Sequence, residues 1–237
     1  MPRRSMWMLA AGALLAAAVA VPAVSASAQT SAKPAANPFG DPNLISMFDG
    51  KTLTGWTQSK SGLWSAKNGT IHGNGTARGW IYFNKQQVGS FRWIFNVRQV
   101  VGNHAPTVLI WGTTTPIRDA LSAIQFQPPN GGHWDYRPGH NNGGGKLFKQ
   151  SPHPKISTKQ WAQCELIANM ATGVAQMACC PLTGTAVTCK ATLVLTFTDK
   201  TAGRVGPLAI QVHNKGITDE YRQLWYEPVA NPKFITT

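Results

Sequence analysis

Residues 133–142 read HWDYRPGHNN, placing two histidines, an aspartate, a tyrosine, an arginine and two asparagines in ten positions. These residue types form an acid–base set. An imidazole that titrates near neutral pH can take a proton, a tyrosine or second histidine can return it, and an arginine or amide can hold an oxyanion. A second cluster lies near the C-terminus, where Gln211, Val212 and His213 alternate so that Gln211 and His213 share a strand face. Gln125 and Gln127 alternate in the same way and suggest one polar sheet face. On this basis His213, Asp135, Tyr136 and His133 are the candidate catalytic groups, and Gln125, Gln127, Arg137, His140 and Gln211 the candidate binding groups. Each has a plainer alternative: Asp135 can shape a turn or pair with Arg137, and a strand histidine can be structural. Trp111 and Trp80 are candidates for stacking on a ring, although strand tryptophans usually belong to the core. His133, Asp135 and His140 are also ligand types for a divalent metal, but the spacing His-x-Asp-x4-His is diagnostic of none.

The elements that must position these groups read as strands. GWIYF, FRWIFNVRQV, TVLIWG, AIQFQ, WAQCELIA, VAQMACC, ATLVLTF, LAIQVH and RQLWY are short β-rich runs. Turn signals such as KNGT, PNGG, NNGGG, LTGT and TDKTAG separate them. No long helical periodicity and no fixed repeat interrupts the pattern, so an all-β, two-sheet antiparallel sandwich of jelly-roll type is expected over residues 44–237 as a single domain. Residues 29–43, rich in Pro, Ala and Asn, read as a linker or N-terminal tail.

The chain opens with two arginines, an Ala/Leu/Val run and a small-residue Ala26-Ser27-Ala28 site, the pattern of an export signal over residues 1–28. Export through the ordinary route is expected, and Arg3-Arg4 weakly resembles a twin-arginine signal. No transmembrane segment is expected after cleavage, and the location is periplasmic or secreted. Cys164, Cys179, Cys180 and Cys189 are the four cysteines of the chain, an even number that reads as disulfides in an oxidising compartment. Their flanking stretches look like successive antiparallel strands, which sets Cys164 beside Cys179 and Cys180 beside Cys189. The whole chain carries a formal charge of +13, and loss of Arg3 and Arg4 with the signal leaves +11. An anionic polysaccharide or envelope surface suits such a charge; no nucleic-acid-binding motif appears.

FDGKTLTGW from Phe48 to Trp56, then Trp64, GTIHGNG, Gly79-Trp80, Phe91, Gln125, Trp161 and the closing GPLAIQVH from Gly206 to His213 resemble the 3-keto-disaccharide hydrolase domain family. The resemblance runs from about Leu44 to Glu227. It implies a concanavalin-like jelly roll and cleavage of glycosides already oxidised at C3. The chain departs from the family pattern at Ala123, where an acid is common, at Asn103-His104-Ala105-Pro106, where Asn-Ser-Gly is common, and at Tyr221-Arg222-Gln223-Leu224.

Acids are few enough to test this chemistry. An ordinary glycosidase needs two carboxylates flanking the bond. Asp41, Asp49, Asp119 and Asp199 sit in the tail or in loops, leaving Asp135, Glu165, Asp219 and Glu220, with Glu227 closing the set. None forms the Glu-x-Asp-x-Glu strand pattern of jelly-roll glucanases, so a conventional hydrolase is disfavoured. A 3-keto sugar asks for less: its ketone acidifies the C2 proton, so one base suffices to start elimination at C1, after which water can add. Two other classes stay open. One is a polysaccharide lyase acting on an anionic polymer; the other is a non-catalytic carbohydrate-binding module. In each case the partner is an oligosaccharide or glycoside, and no cofactor is required beyond an open place for a divalent metal.

Overall fold

The computed structural model describes residues 37–237. The expected export signal and residues 29–36 of the expected tail lie outside the described residues. The chain runs through β1 (Ile45–Ser46), β2 (Trp56–Gln58), β3 (Trp64–Lys67), β4 (Thr70–Gly73), β5 (Gly79–Phe83), β6 (Phe91–Val101) and β7 (Thr107–Ile110). It continues through a 3-10 turn (Asp119–Ser122), β8 (Ile124–Phe126), β9 (His133–Asp135), β10 (Phe148–Gln150), β11 (Ala162–Asn169), β12 (Val174–Pro181), β13 (Thr192–Thr198), β14 (Ala209–Val212) and β15 (Thr218–Glu227). The fold is all-β, two antiparallel sheets packed as a jelly-roll sandwich. The nine-stranded sheet is ordered β10-β13-β12-β11-β6-β15-β4-β3, with β1 also pairing β15; the six-stranded sheet is ordered β2-β5-β14-β7-β8-β9.

Alternation explains the core. In β6, Phe91, Trp93, Phe95 and Val97 point between the sheets, where Ile81, Val108, Ile124, Phe126, Ile210 and Val212 of the six-stranded sheet meet them. Tyr221 spans the gap: its hydroxyl donates to Thr107 O at 3.0 Å and accepts from Thr107 N at 3.1 Å, so a buried polar group is satisfied while tying β15 to β7. Asn68 and Gly69, both at positive φ, close the β3–β4 hairpin, the Asn-Gly turn whose twist matches its strands.

Arg92, Ile94 and Asn96 of β6 face out yet are buried, under segments that include Phe39, Asp41, Leu44, Val187 and Lys233. Arg92 bonds Lys233 O and pairs with Asp41, Glu165 and Glu227. Glu165, fully buried, accepts from the backbone N–H groups of Ile235 and Thr236 and from the Thr236 hydroxyl. One of the sequence's leftover carboxylates is thereby a structural anchor. The cysteines join as Cys164–Cys179, directly opposite on β11 and β12, and Cys180–Cys189. Cys189 stands in the loop before β13 rather than on that strand, held by Gln163.

Candidate functional site

The sheet order decides which distant residues meet. β5, β14, β7 and β8 lie side by side and antiparallel, so the residue before β5, the end of β14, the approach to β7 and the end of β8 gather at one end of the six-stranded sheet. Those positions hold Arg78, His213, His104 and Gln127. With Gln125, Trp134 and Tyr136 they line a pocket of about 430 Å³ on the outer face of the sheet, a size suited to a small-molecule ligand.

The two imidazoles stack, ring centroids 3.8 Å apart and planes within 11°. Nδ1 of His104 lies 2.8 Å from Ala105 O and Nδ1 of His213 lies 3.0 Å from Asn214 Oδ1. Both contacts ask for a proton on Nδ1, which leaves an Nε2 lone pair on each ring. Nε2 of His104 faces the Gln127 amide at 3.4 Å, and Nε2 of His213 faces the Tyr136 hydroxyl at 3.5 Å. Burial, together with the neighbouring His104 and Arg78, pushes His213 down to about 4, while its bond to Asn214 works weakly the other way. The imidazole of His213 is therefore neutral at physiological pH.

Tyr136 is the hub. Its hydroxyl donates to Gln125 Oε1 at 3.2 Å and accepts from Arg78 Nη2 at 3.0 Å. Arg78 in turn pairs with Asp119 at 3.0 Å and donates to His213 O at 3.0 Å. Gln125 Nε2 and, deeper in the same face, Gln211 Nε2 are buried donors without partners. The rim beside Asp119 is held by a left-handed run, Ala120, Leu121 and Ser122, all at positive φ. Arg204 clamps this run by donating to Trp111 O and Ser122 O. Backbone in that region costs energy, and such strain tends to collect at functional sites. A second cleft of about 480 Å³ is lined by Asn130, Gln150, Ser151, Pro152, His153 and Lys155. There both ring nitrogens of His153 face backbone carbonyls, so that cleft offers no free base.

Over residues 43–227 the chain matches the 3-keto-alpha-glucoside-1,2-lyase-like domain. It belongs to that family. No curated protein matches the sequence. Among solved structures it is similar to a protein of Parabacteroides distasonis provisionally described as a glycosyl hydrolase, at 12% identity and TM-score 0.56, covering 79% of this chain and 94% of that one. It is also similar to the carbohydrate-binding module CBM66 of Bacillus subtilis, at 13% identity and TM-score 0.54, covering 73% of this chain and 95% of that one. At such identities the shared property is the fold.

In this 3-keto-glucoside lyase-like domain the segment HWDYRPGHNN does not act as one loop. Its first three residues form β9, paired with β8, and alternation splits the set. Trp134 and Tyr136 face the pocket; His133, Asp135 and Arg137 do not. His133 packs between Phe148 and Phe197, with both ring nitrogens unpartnered and burial lowering its pKa, so it is a core histidine. Asp135, fully buried, accepts from Arg137, which also pairs with Asp199, while His140 lies 3.1 Å from Asp135. Asp135, His140 and Asp199 are the one described group with metal-ligand types close together. The Arg137 guanidinium, 2.7 Å from Asp135 and bonded to both carboxylates, already supplies the cation, so the set does not fit a metal. His133 is not part of it. The parallel planes of His104 and His213 likewise aim their lone pairs side by side rather than at one point.

Trp111 is also core: it is 1% exposed and its indole N–H donates to Gly89 O. Trp80 shares the pocket's sheet face but packs on Leu109 and Ala209 without lining the pocket. Gln125, Gln127, Tyr136 and His213 converge; Gln211 lies beneath them. Sequence reasoning missed His104, Arg78 and Trp134 as site residues. His104 had a signal, since it stands where the family pattern breaks. Trp134 sat inside the quoted segment but was read with its neighbours, and Arg78 had no signal before β5 was placed beside β14.

Proposed function

We propose that the pocket cleaves 3-keto-glycosides by elimination, with His213 as the base at C2. The observation that carries this is the pocket lining: two imidazoles, a tyrosine, an arginine and two amides, with no carboxylate among the described residues that line it. That set lacks the paired acids of an ordinary glycosidase but matches proton abstraction beside a ketone. Nε2 of His213 takes the C2 proton, and the C–H electrons flow into an enolate whose negative charge sits on the C3 oxygen. The Arg78 guanidinium in the pocket lining supplies a donor for that oxygen. When the ketone re-forms, a C1–C2 double bond forms and the C1–O bond breaks. The leaving oxygen takes a proton from Tyr136, whose proton is replaced from the protonated His213 across the 3.5 Å contact. The products are a 2-hydroxy-3-keto-glycal and the free aglycone. Trp134, 39% exposed at the pocket edge, offers a face for the sugar ring. Two disulfides support an exported domain.

The test is incubation with a p-nitrophenyl 3-keto-glucoside in D2O. Release of p-nitrophenol, an enone absorbance and deuterium at C2 in recovered substrate are expected. Turnover without an enone or C2 exchange would point to direct hydrolysis, and binding without turnover to a carbohydrate-binding module; either overturns the proposal.

A further inference from the structure

The outer face of the nine-stranded sheet, on the side of the sandwich away from the pocket, carries a cationic cluster of its own. Val97 and Tyr221 point into the core, so their neighbours Arg98 on β6 and Arg222 on β15 point outward. Both guanidiniums lie over the ring of Trp161, with Cζ 4.7 Å away for Arg98 and 4.2 Å for Arg222. The charge of Arg98 is answered: Nε and Nη2 reach Glu220 Oε2 at 2.9 and 2.7 Å. The other oxygen of Glu220 faces His72 Nδ1 at 3.1 Å, so the carboxylate is fully engaged.

Arg222 has no such counterpart. Its Nε is buried without a hydrogen-bond partner, and no carboxylate among the described residues pairs with it. Burial and, after it, the neighbouring Arg98 push its pKa below the ordinary arginine value, with Glu220 pulling the other way. Buried charged donors are normally satisfied, because the unmade bond forfeits the solvation the group gave up. Stacking on Trp161 fixes the plane of the guanidinium; the buried Nε lies out of a ligand's reach, and the donors left to offer are Nη1 and Nη2, which make no hydrogen bond or ion pair among the described residues.

We propose that Arg222, held on Trp161 beside Arg98, is a docking site for a carboxylate of an acidic polysaccharide. The planar fork of arginine matches a carboxylate through two parallel hydrogen bonds, which a neutral polymer cannot supply. The excess of 22 basic over 9 acidic residues in the chain draws such a polymer in. Because the cluster and the pocket occupy opposite outer faces, a polymer bound here leaves the pocket open, and the site tethers the domain to an acidic matrix while small glycosides are processed on the other side. The site stands independently of the reaction assigned to the pocket.

The experiment is affinity electrophoresis of the protein through gels containing polygalacturonate, dextran sulfate or neutral dextran. The variants are Arg222→Met, which keeps the packing on Trp161, Arg222→Lys, which keeps the charge, and Lys149→Gln, which removes one charge from the exposed far-edge strand β10. Arg222→Met is expected to weaken polygalacturonate binding by about tenfold or more, the range of a lost charge-assisted hydrogen bond. Arg222→Lys should recover part of the loss, and Lys149→Gln should change it by less than about twofold. Turnover in the pocket should be unchanged in all three. Equal losses in Arg222→Met and Lys149→Gln, absence of wild-type retention by polygalacturonate, or retention by dextran sulfate alone would overturn the carboxylate site. Titration of the wild type with galacturonate oligomers, followed by the Arg222 Nε–H NMR signal, decides the matter without a variant: a saturable shift is expected, and an unmoved signal refutes it.

Discussion

The pH dependence of turnover gives the sharpest check on the assignment of His213. A histidine of ordinary pKa near 6.5 would leave only about 3% of the sites in the basic form at pH 5. With His213 pushed down to about 4, about nine tenths are basic at that pH, so the rate should already be close to its plateau, roughly thirtyfold above the ordinary case. The expected profile of kcat/KM on a 3-keto-glucoside rises through about pH 4 and is flat to neutrality. The displacement has identifiable sources beyond burial, namely His104 and Arg78. Arg78→Met removes one of those charges, so protonation becomes easier and the acid limb should move to higher pH. His213→Ala should keep the fold, because loss of one half-buried side chain at a strand end costs about 1 kcal/mol, yet lower turnover by about 10²–10⁴. The assay is a stopped-flow or plate measurement of aglycone release from pH 3.5 to 8 for wild type, Arg78→Met and His213→Ala. A break near pH 6.5 in the wild type, or unchanged turnover in His213→Ala, would refute the assignment and turn attention to His104.

Asp219 is buried with both carboxylate oxygens unpartnered, and desolvation lifts its pKa to about 8 against a weaker opposing pull from Gln99 and Lys159. Its proton is held more tightly folded than unfolded, so this stability is full below about pH 4 and is lost as pH rises through about 8; Asp219→Asn should flatten the fall in melting temperature between pH 5 and 9, and an unchanged slope would count against it. Asp135→Asn should destabilise by about 3–5 kcal/mol in urea melts, as expected when one partner of a buried ion cluster is removed, whereas a loss of turnover at full stability would return Asp135 to the mechanism. Reduction of the disulfides should lower stability by about 2–4 kcal/mol for each bridge while folded protein keeps its pocket chemistry; an unchanged melting temperature after reduction and alkylation would show that they do not staple the sheet.

The sequence by itself determined the strands and what they require. GWIYF coincides with β5, and VAQMACC falls within β12, because period-two burial is written in residue type. The succession of antiparallel strands around the cysteines set Cys164 beside Cys179 and Cys180 beside Cys189, the two bridges present in the fold. The short strand β9 was not legible within a Gly- and Pro-flanked polar run. Its residues were therefore counted as one set, although Trp134 pairs across to Gln125 while His133 and Asp135 turn the other way. Only the tertiary structure decided the site. Arg78, His104, Tyr136 and His213 are remote in sequence; the antiparallel order of β5, β14, β7 and β8 brings Arg78, His104 and His213 to one sheet end, and the Tyr136 hydroxyl reaches Arg78 and His213 from beyond the other end of β9. The low pKa of His213 arises from burial and from neighbours contributed by other strands, and the ion-paired fate of Asp135 depends on Asp199 from the end of β13. Periodicity is a local property of a chain, whereas convergence and electrostatic environment are set by which strands lie side by side.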